Sequence, residues 1–191
     1  NLQSFLSIKP LIEVVEKNID LETALKGPSL NIFVRHLQTG KEKVLNPKSK
    51  FELLLALRAA SALVPFFEPV KIGEEYYCDA GDVNPFPVEY AFNTGCDTVF
   101  AFVKGYNTPQ KPKNVIEMML AEIEIHTQKM FLLLYKQAKE RAKKESRKLY
   151  IVSPKSPPHP DLGFLSISPE AIEYTIEKES EATQKFLEKI L

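Results

Sequence analysis

Excess charge of either sign is missing from this sequence: Lys and Arg together number 25, Asp and Glu 25, and the formal net charge at pH 7 is zero. Proteins that bind nucleic acid usually carry a basic surplus, so no nucleic-acid partner is expected. Cysteine is scarce. Cys78 and Cys96 are the only two, too few for a disulfide framework and without zinc-ligand spacing. Both stand in apolar stretches, which predicts buried thiols in a reducing, cytoplasmic setting and gives no reason to expect a metal or other cofactor. Long apolar runs are lacking too. None approaches the ~18 residues that suggest a membrane span. No secretory leader is visible, although the chain opens with Asn1 rather than Met, so its natural start is open and localisation cannot be read from that end.

What is present is ordinary for a soluble globular protein: 191 residues, 44% hydrophobic and 26% charged, enough for one domain or a large piece of one. Pro10 opens a helical pattern that carries Leu11, Val14 and Val15 on one side. Residues 30–37 read as a strand, joined through Gln38-Thr39-Gly40 to a second strand at 43–45. Ser49 with Glu52 forms a capping box before an apolar helix that should stop ahead of Pro65. Residues 65–79 read as loop with short extended pieces. Asn84-Pro85 and Gly95 bracket a short helix, 85–94. Residues 97–103 look like a buried strand. A linker at 107–113 precedes a long helix, 114–148, with an apolar stripe through Val115, Met119, Ile123, Met130 and Leu134. A further strand, 149–153, a rigid loop at 156–160 and an amphipathic helix from Ser168-Pro169-Glu170 complete the chain. Continuously apolar strands among helices predict a sheet buried between helical layers, an α/β sandwich, with 30–37 and 97–103 in one central sheet.

The densest group of candidate functional residues runs from Tyr76 to Pro85. Asp79 ends an apolar extended segment and is followed by the small Ala80 and Gly81. A carboxylate there can point along the sheet edge into a cleft, and small neighbours allow another segment to approach it. Desolvation at such a place raises a carboxylate's pKa and makes it a better base. On the bare residues, an ordinary Asp-Ala-Gly turn is the more frequent outcome.

Residues 53–104 resemble the C-terminal signature region of patatin-like phospholipases. Arg58-Ala59-Ala60-Ser61-Ala62 with Pro65 resembles that family's helix end, and Phe67-Glu68-Pro69-Val70 its Phe-Pro-Pro-Val loop. Residues 77–91 resemble the segment around the family's catalytic Asp-Gly-Gly/Ala motif, and Gly95-Cys96-Asp97 its Gly-Ala-Asp. Residues 10–22 resemble the segment after the family's nucleophile region, and 161–187 are weakly similar to its terminal helix. The resemblance implies a three-layer α/β/α patatin-like sandwich of which residues 1–191 form the C-terminal portion, with the long helix and terminal strand-helix segment in 107–191. It implies a Ser–Asp dyad that cleaves lipid acyl esters, of phospholipase A or esterase type, with Asp79 as the aspartate. A dyad needs no histidine, and His36, His126 and His159 fall in no obvious constellation.

Two departures from the family pattern bear on activity. The Gly-x-Ser-x-Gly turn that exposes the nucleophile and the glycine-rich oxyanion loop do not occur in these residues. The expectation is that they lie before Asn1, on another polypeptide, or nowhere, and that an exposed apolar patch of the sheet near Asp79 is covered by the missing N-terminal half, another chain or a self-associated copy. Ala80 stands where the family has its first glycine, which strains the turn if that position needs positive φ. The alternatives are therefore an inactive patatin-like binding or scaffolding module, or an unrelated α/β protein with a structural aspartate. Three further features are open. The seven basic residues of 136–148 fit peripheral contact with anionic lipid or a solvated helix end. The run 130–135 fits an acyl chain or core packing. Arg58 fits a pair with a carboxylate near the cleft or a surface arginine.

Overall fold

The computed structural model describes residues 4–103, 111–152 and 169–190. Helices and strands are mixed, as the α/β reading expects, and the chain divides into two compact units, Asn1–Pro85 and Phe86–Leu191.

The first unit holds α1 (Lys9–Asn18), α2 (Leu21–Lys26), β1 (Ile32–His36), β2 (Glu42–Leu45), α3 (Lys50–Ala60), β3 (Val70–Ile72) and β4 (Glu75–Asp79). Its four strands form one sheet in the order β2-β1-β4-β3, and each neighbouring pair is antiparallel. The β1–β2 turn uses Gly40 at φ 68°, a left-handed conformation that glycine adopts without the Cβ penalty. The Ser49 cap forms as expected, while the return bond from Glu52 goes to the residue before the cap. Ser49 Oγ accepts from the Glu52 N–H at 3.2 Å, and the Glu52 carboxylate accepts in return from the Lys48 N–H at 2.7 Å. The helix it starts, α3, packs on β1, β4 and β3. It contributes Ala59, with Ala62 just beyond its end, to a core with Val34, Val70, Tyr77 and Cys78. These alanines explain why α3 lies close to the sheet: no side chain beyond Cβ holds the backbones apart.

The second unit holds α4 (Val88–Asn93), β5 (Thr98–Phe102), α5 (Val115–Lys144), β6 (Lys148–Val152) and α6 (Pro169–Ile190). Strands β5 and β6 pair in parallel, from Thr98 opposite Lys148 to Phe102 opposite Val152. A parallel pair requires a long crossover, and α5 lies within it. Asn114 caps α5, its side chain accepting from the Glu117 N–H at 2.9 Å. The core gathers Phe86, Val88, Phe92, Phe131, Ala138 and Ala142. Arg141 and Arg147 flank the Phe92 ring at 5.6 and 5.3 Å. Arg141 also reaches Glu89, Asn93 and Glu145, and Arg147 reaches the Phe92 and Cys96 carbonyls.

Several expectations are corrected. Residues 30–37 and 97–103 do not share a sheet, because β1 has β2 on one side and β4 on the other, while β5 pairs with β6. Apolar content alone did not reveal that β1 pairs antiparallel on both edges. β5 is not buried: Phe100 and Phe102 are 42% and 62% exposed, and only alternate residues turn toward the core. The short helix begins at Val88 rather than at Pro85, since the Asn84 side chain bonds Glu42 at 2.6 Å instead of capping. The long helix ends at Lys144, where Ser146 takes φ 56° and reverses the chain into β6. Its buried positions are Leu120, Phe131, Ala138 and Ala142, and of the expected stripe Leu134 packs on this core while Val115 and Met119 are exposed, so the buried face is displaced from the one expected. Of the run 130–135, Phe131, Leu134 and Tyr135 enter the core and Leu132 and Leu133 do not. Cys78 is buried, but Cys96, expected to be so, is exposed. Residues 107–110 of the linker expected at 107–113, and the rigid loop at 156–160, lie outside the described residues.

Candidate active site

Asp79 is the last residue of β4. Its position is fixed from two sides by the backbone: it pairs in register with the fully buried Val34 of β1, and its N–H donates to the Ala62 carbonyl at 3.1 Å. The strand therefore ends against the stretch that follows α3, and the aspartate is held by two elements that are themselves core-packed.

Beyond Asp79 the chain turns tightly. The Gly81 N–H donates to Asp79 Oδ1 at 2.6 Å, and the Ala80 carbonyl accepts from the Val83 and Asn84 N–H groups at 3.0 and 2.8 Å. Ala80 is buried, and Ser146 is the non-glycine residue with positive φ among the described residues. Ala80 thus carries none of the strain that a positive φ at that position would have brought. Gly81 is the more constrained position. A Cβ there would meet Asp79 Oδ1 at 3.1 Å, so glycine allows the close approach of amide to carboxylate.

The half-buried carboxylate of Asp79 is raised above the ordinary aspartate pKa, chiefly by burial. The Gly81 N–H opposes this, the Asp82 charge adds to it, and the Arg35 charge opposes it. Arg35 grips Asp82 with two hydrogen bonds, Nε to Oδ1 at 3.1 Å and Nη2 to Oδ2 at 3.0 Å. Asn84, which bonds Glu42, leaves a buried Oδ1 without a partner among the described residues. Such an acceptor is unusual in a folded protein.

Other candidates fall away from this point. Burial pushes the Cys78 thiol up from its ordinary value, and it donates to the Arg35 carbonyl at 3.6 Å. It is a protonated packing residue, unsuited to nucleophilic attack. His36 Nδ1 is engaged by Thr39, and its ring meets Tyr77 edge-on. His126 is exposed and contacts the carbonyl of Glu122 one turn earlier. His159 lies outside the described residues. Arg58 is exposed and lines a cleft of about 520 Å³ with residues 4–9, Glu68, Lys71 and Tyr76, a cleft that does not include Asp79. Of the seven basic residues in 136–148, Arg141 and Arg147 are committed to internal contacts. The nearest approach to a nucleophile turn is Gly27-Pro28-Ser29-Leu30-Asn31, which has the first glycine and the serine but lacks the second glycine. It leads into β1 rather than into a helix, so it lacks the strand–turn–helix form that exposes a nucleophile. No group of acidic, histidine or cysteine side chains suited to a metal occurs among the described residues.

The turn after β4 lies within a segment that can be compared with known families. Residues 3–92 match the family model of the patatin-like phospholipases. The match covers just under half of the chain, including all of β1 to β4 and the Asp79 turn. No curated protein matches the chain. At the level of the family, the patatin-like match implies hydrolase chemistry on lipid acyl groups. Among the described residues no helix is long and apolar enough to cross a membrane.

The sequence pointed to Asp79 and to the residues after it, Asp82 among them, but missed Arg35 and its pairing with Asp82. Arg35 sits 47 positions from Asp82. Nothing in a strand pattern indicates that an arginine on β1 will meet the turn after β4; the only available signal was an arginine inside an otherwise apolar strand.

Proposed function

We propose that Asp79 is the general base of a Ser–Asp dyad that hydrolyses lipid acyl esters, in a phospholipase A or esterase type of reaction. The observation that carries this reading is the half-buried carboxylate at the end of β4, its pKa raised by burial, one oxygen held by the Gly81 amide. An exposed aspartate is a weak base, with a pKa of ~3.9. Partial desolvation makes it a better one. The Gly81 hydrogen bond fixes the carboxylate's orientation, and Asp79 needs no histidine relay in this reading.

In the proposed reaction a serine hydroxyl gives its proton to Asp79 as its oxygen attacks the acyl carbonyl. The tetrahedral intermediate collapses, the leaving alcohol takes the proton from Asp79, and an acyl-serine remains. Water then attacks the acyl-serine with Asp79 again as base, releasing the acid and restoring the serine. Donors for the oxyanion and the serine itself must come from outside the motifs present in these residues. For that reason an inactive patatin-like binding module is the second reading. A peripheral lipid surface, reached through the lysines of 136–148, fits either reading.

The test is Asp79→Asn in the protein that carries the nucleophile, assayed on a simple aryl ester. Hydrolysis should fall by at least about 10²-fold, the usual scale of a general base, while a serine-directed fluorophosphonate reveals whether a reactive serine is present at all. Near-normal turnover by the variant would refute the dyad. Absence of both turnover and labelling in the parent would select the binding module.

A further inference from the structure

We propose that Arg35 and Asp82 form a positioning pair that sets the geometry and charge environment of Asp79, an inference that rests on reading Asp79 as the base. The two side chains meet in a fork, Nε to Oδ1 at 3.1 Å and Nη2 to Oδ2 at 3.0 Å. Planar two-point pairing of this kind fixes orientation as well as distance. The Arg35 side chain is 16% exposed, so the pair is partly withdrawn from solvent screening. Its anchors lie on either side of the aspartate. Arg35 belongs to β1, in register with Cys78 and next to Val34, the register partner of Asp79. Asp82 follows Gly81, whose amide holds Asp79 Oδ1. Closing the fork thus pins the far end of the turn to the strand beside Asp79 and keeps the Gly81 N–H on the carboxylate.

The same pair brings opposite charges to bear on Asp79: Asp82 raises its pKa and Arg35 lowers it. The other ionisable groups on the packed elements are engaged elsewhere, buried in neutral form or exposed to solvent. Lys43 of β2 bonds the Tyr77 hydroxyl at 2.9 Å, which donates to Glu75 at 2.7 Å. Glu42 of β2 takes the Asn84 amide, His36 of β1 is engaged by Thr39, and the Cys78 thiol is held protonated by burial. On α3, Glu52 takes the Lys48 amide, and Lys50 and Arg58 are exposed. Arg35 and Asp82 are therefore the balanced pair whose disturbance reaches Asp79.

The experiment is a carbon-detected NMR titration of the Asp79 carboxyl in the 191-residue chain, with amide exchange at Gly81 followed in parallel. Asp82→Asn should move the Asp79 midpoint down, because Arg35 is left uncompensated. Arg35→Gln should move it up, because Asp82 is left uncompensated. Each shift should be about half a pH unit or more, and the double variant should return close to the parent. Arg35→Lys keeps the charge but not the fork, so the midpoint should hold while Gly81 exchange quickens about tenfold. Midpoints that stay put, or that move the same way in both single variants, overturn the proposal. So does Gly81 exchange that is unchanged in Arg35→Lys. If Arg35→Gln does not fold, Asp82→Asn and Arg35→Lys decide by the same criteria. These measurements use no turnover. Failure of the dyad would appear only in the Asp79→Asn ester assay, and failure of the pair only here.

Discussion

On the proposed reading of Asp79 as the base, replacing Gly81 with alanine separates catalytic geometry from stability at this site. The backbone tolerates the change, because Gly81 is not among the glycines with positive φ. The added methyl carbon would meet Asp79 Oδ1 at 3.1 Å, inside ordinary contact, and the carboxylate must give by a few tenths of an ångström. The same movement loosens the 2.6 Å Gly81-to-Asp79 hydrogen bond. A misplacement of about 1 Å in a catalytic group costs on the order of 10²-fold. A third of that distance therefore scales to a loss of roughly fivefold in kcat. Stability should hardly move, since the gain of ~0.4–1 kcal/mol from a less flexible unfolded chain offsets the local strain. The assay is aryl-ester hydrolysis by the nucleophile-bearing protein, beside urea unfolding of the same samples. Parental kcat in Gly81→Ala would refute the claim that this glycine is needed for close approach. A stability loss above about 2 kcal/mol would show that the turn is a folding element rather than a catalytic one.

The remaining predictions concern stability. Because burial raises the Asp79 pKa in the folded protein above its ordinary 3.8, the folded state holds this proton more tightly than the unfolded chain. Stability from this group is thus present below about pH 3.8 and lost as pH rises through the higher folded value. Asp79→Asn should accordingly stabilise the protein at pH 7 with a gain that shrinks toward pH 4, measured by urea midpoints; a gain independent of pH, or a loss that grows with pH, would contradict the burial argument. Val34→Ala empties a fully buried position opposite Asp79 and should cost about 2 kcal/mol, with a cost below about 0.5 kcal/mol showing that the site collapses freely. Ser49→Ala removes the cap of α3 and should cost ~1 kcal/mol, checked by thermal unfolding, and an unchanged Tm would mean that Glu52 and the Lys48 amide hold the helix start alone.

Local signals determined a good deal of this protein without its tertiary structure. The Ser49–Glu52 box, the Asn114 cap, the Pro10 start and the Gly40 turn act within a few residues, so the chain specifies them before anything packs. The small residues after Asp79 marked the candidate site for a similar reason: a tight approach to a carboxylate demands glycine or alanine in the sequence itself. Strand partnership was decided elsewhere. An apolar strand can pair with any neighbour that buries its side chains, and only the folded sheet placed β4 beside β1 and left β5 with β6. The face that α5 buries depended on what packed against it, because Val115 and Met119 are as apolar as Leu120 and Phe131. Asn84 could cap a helix or bond Glu42, and the position of β2 settled the choice. The Arg35–Asp82 fork is the clearest case, since a two-point ion pair across 47 residues exists only once β1 and the turn after β4 have met.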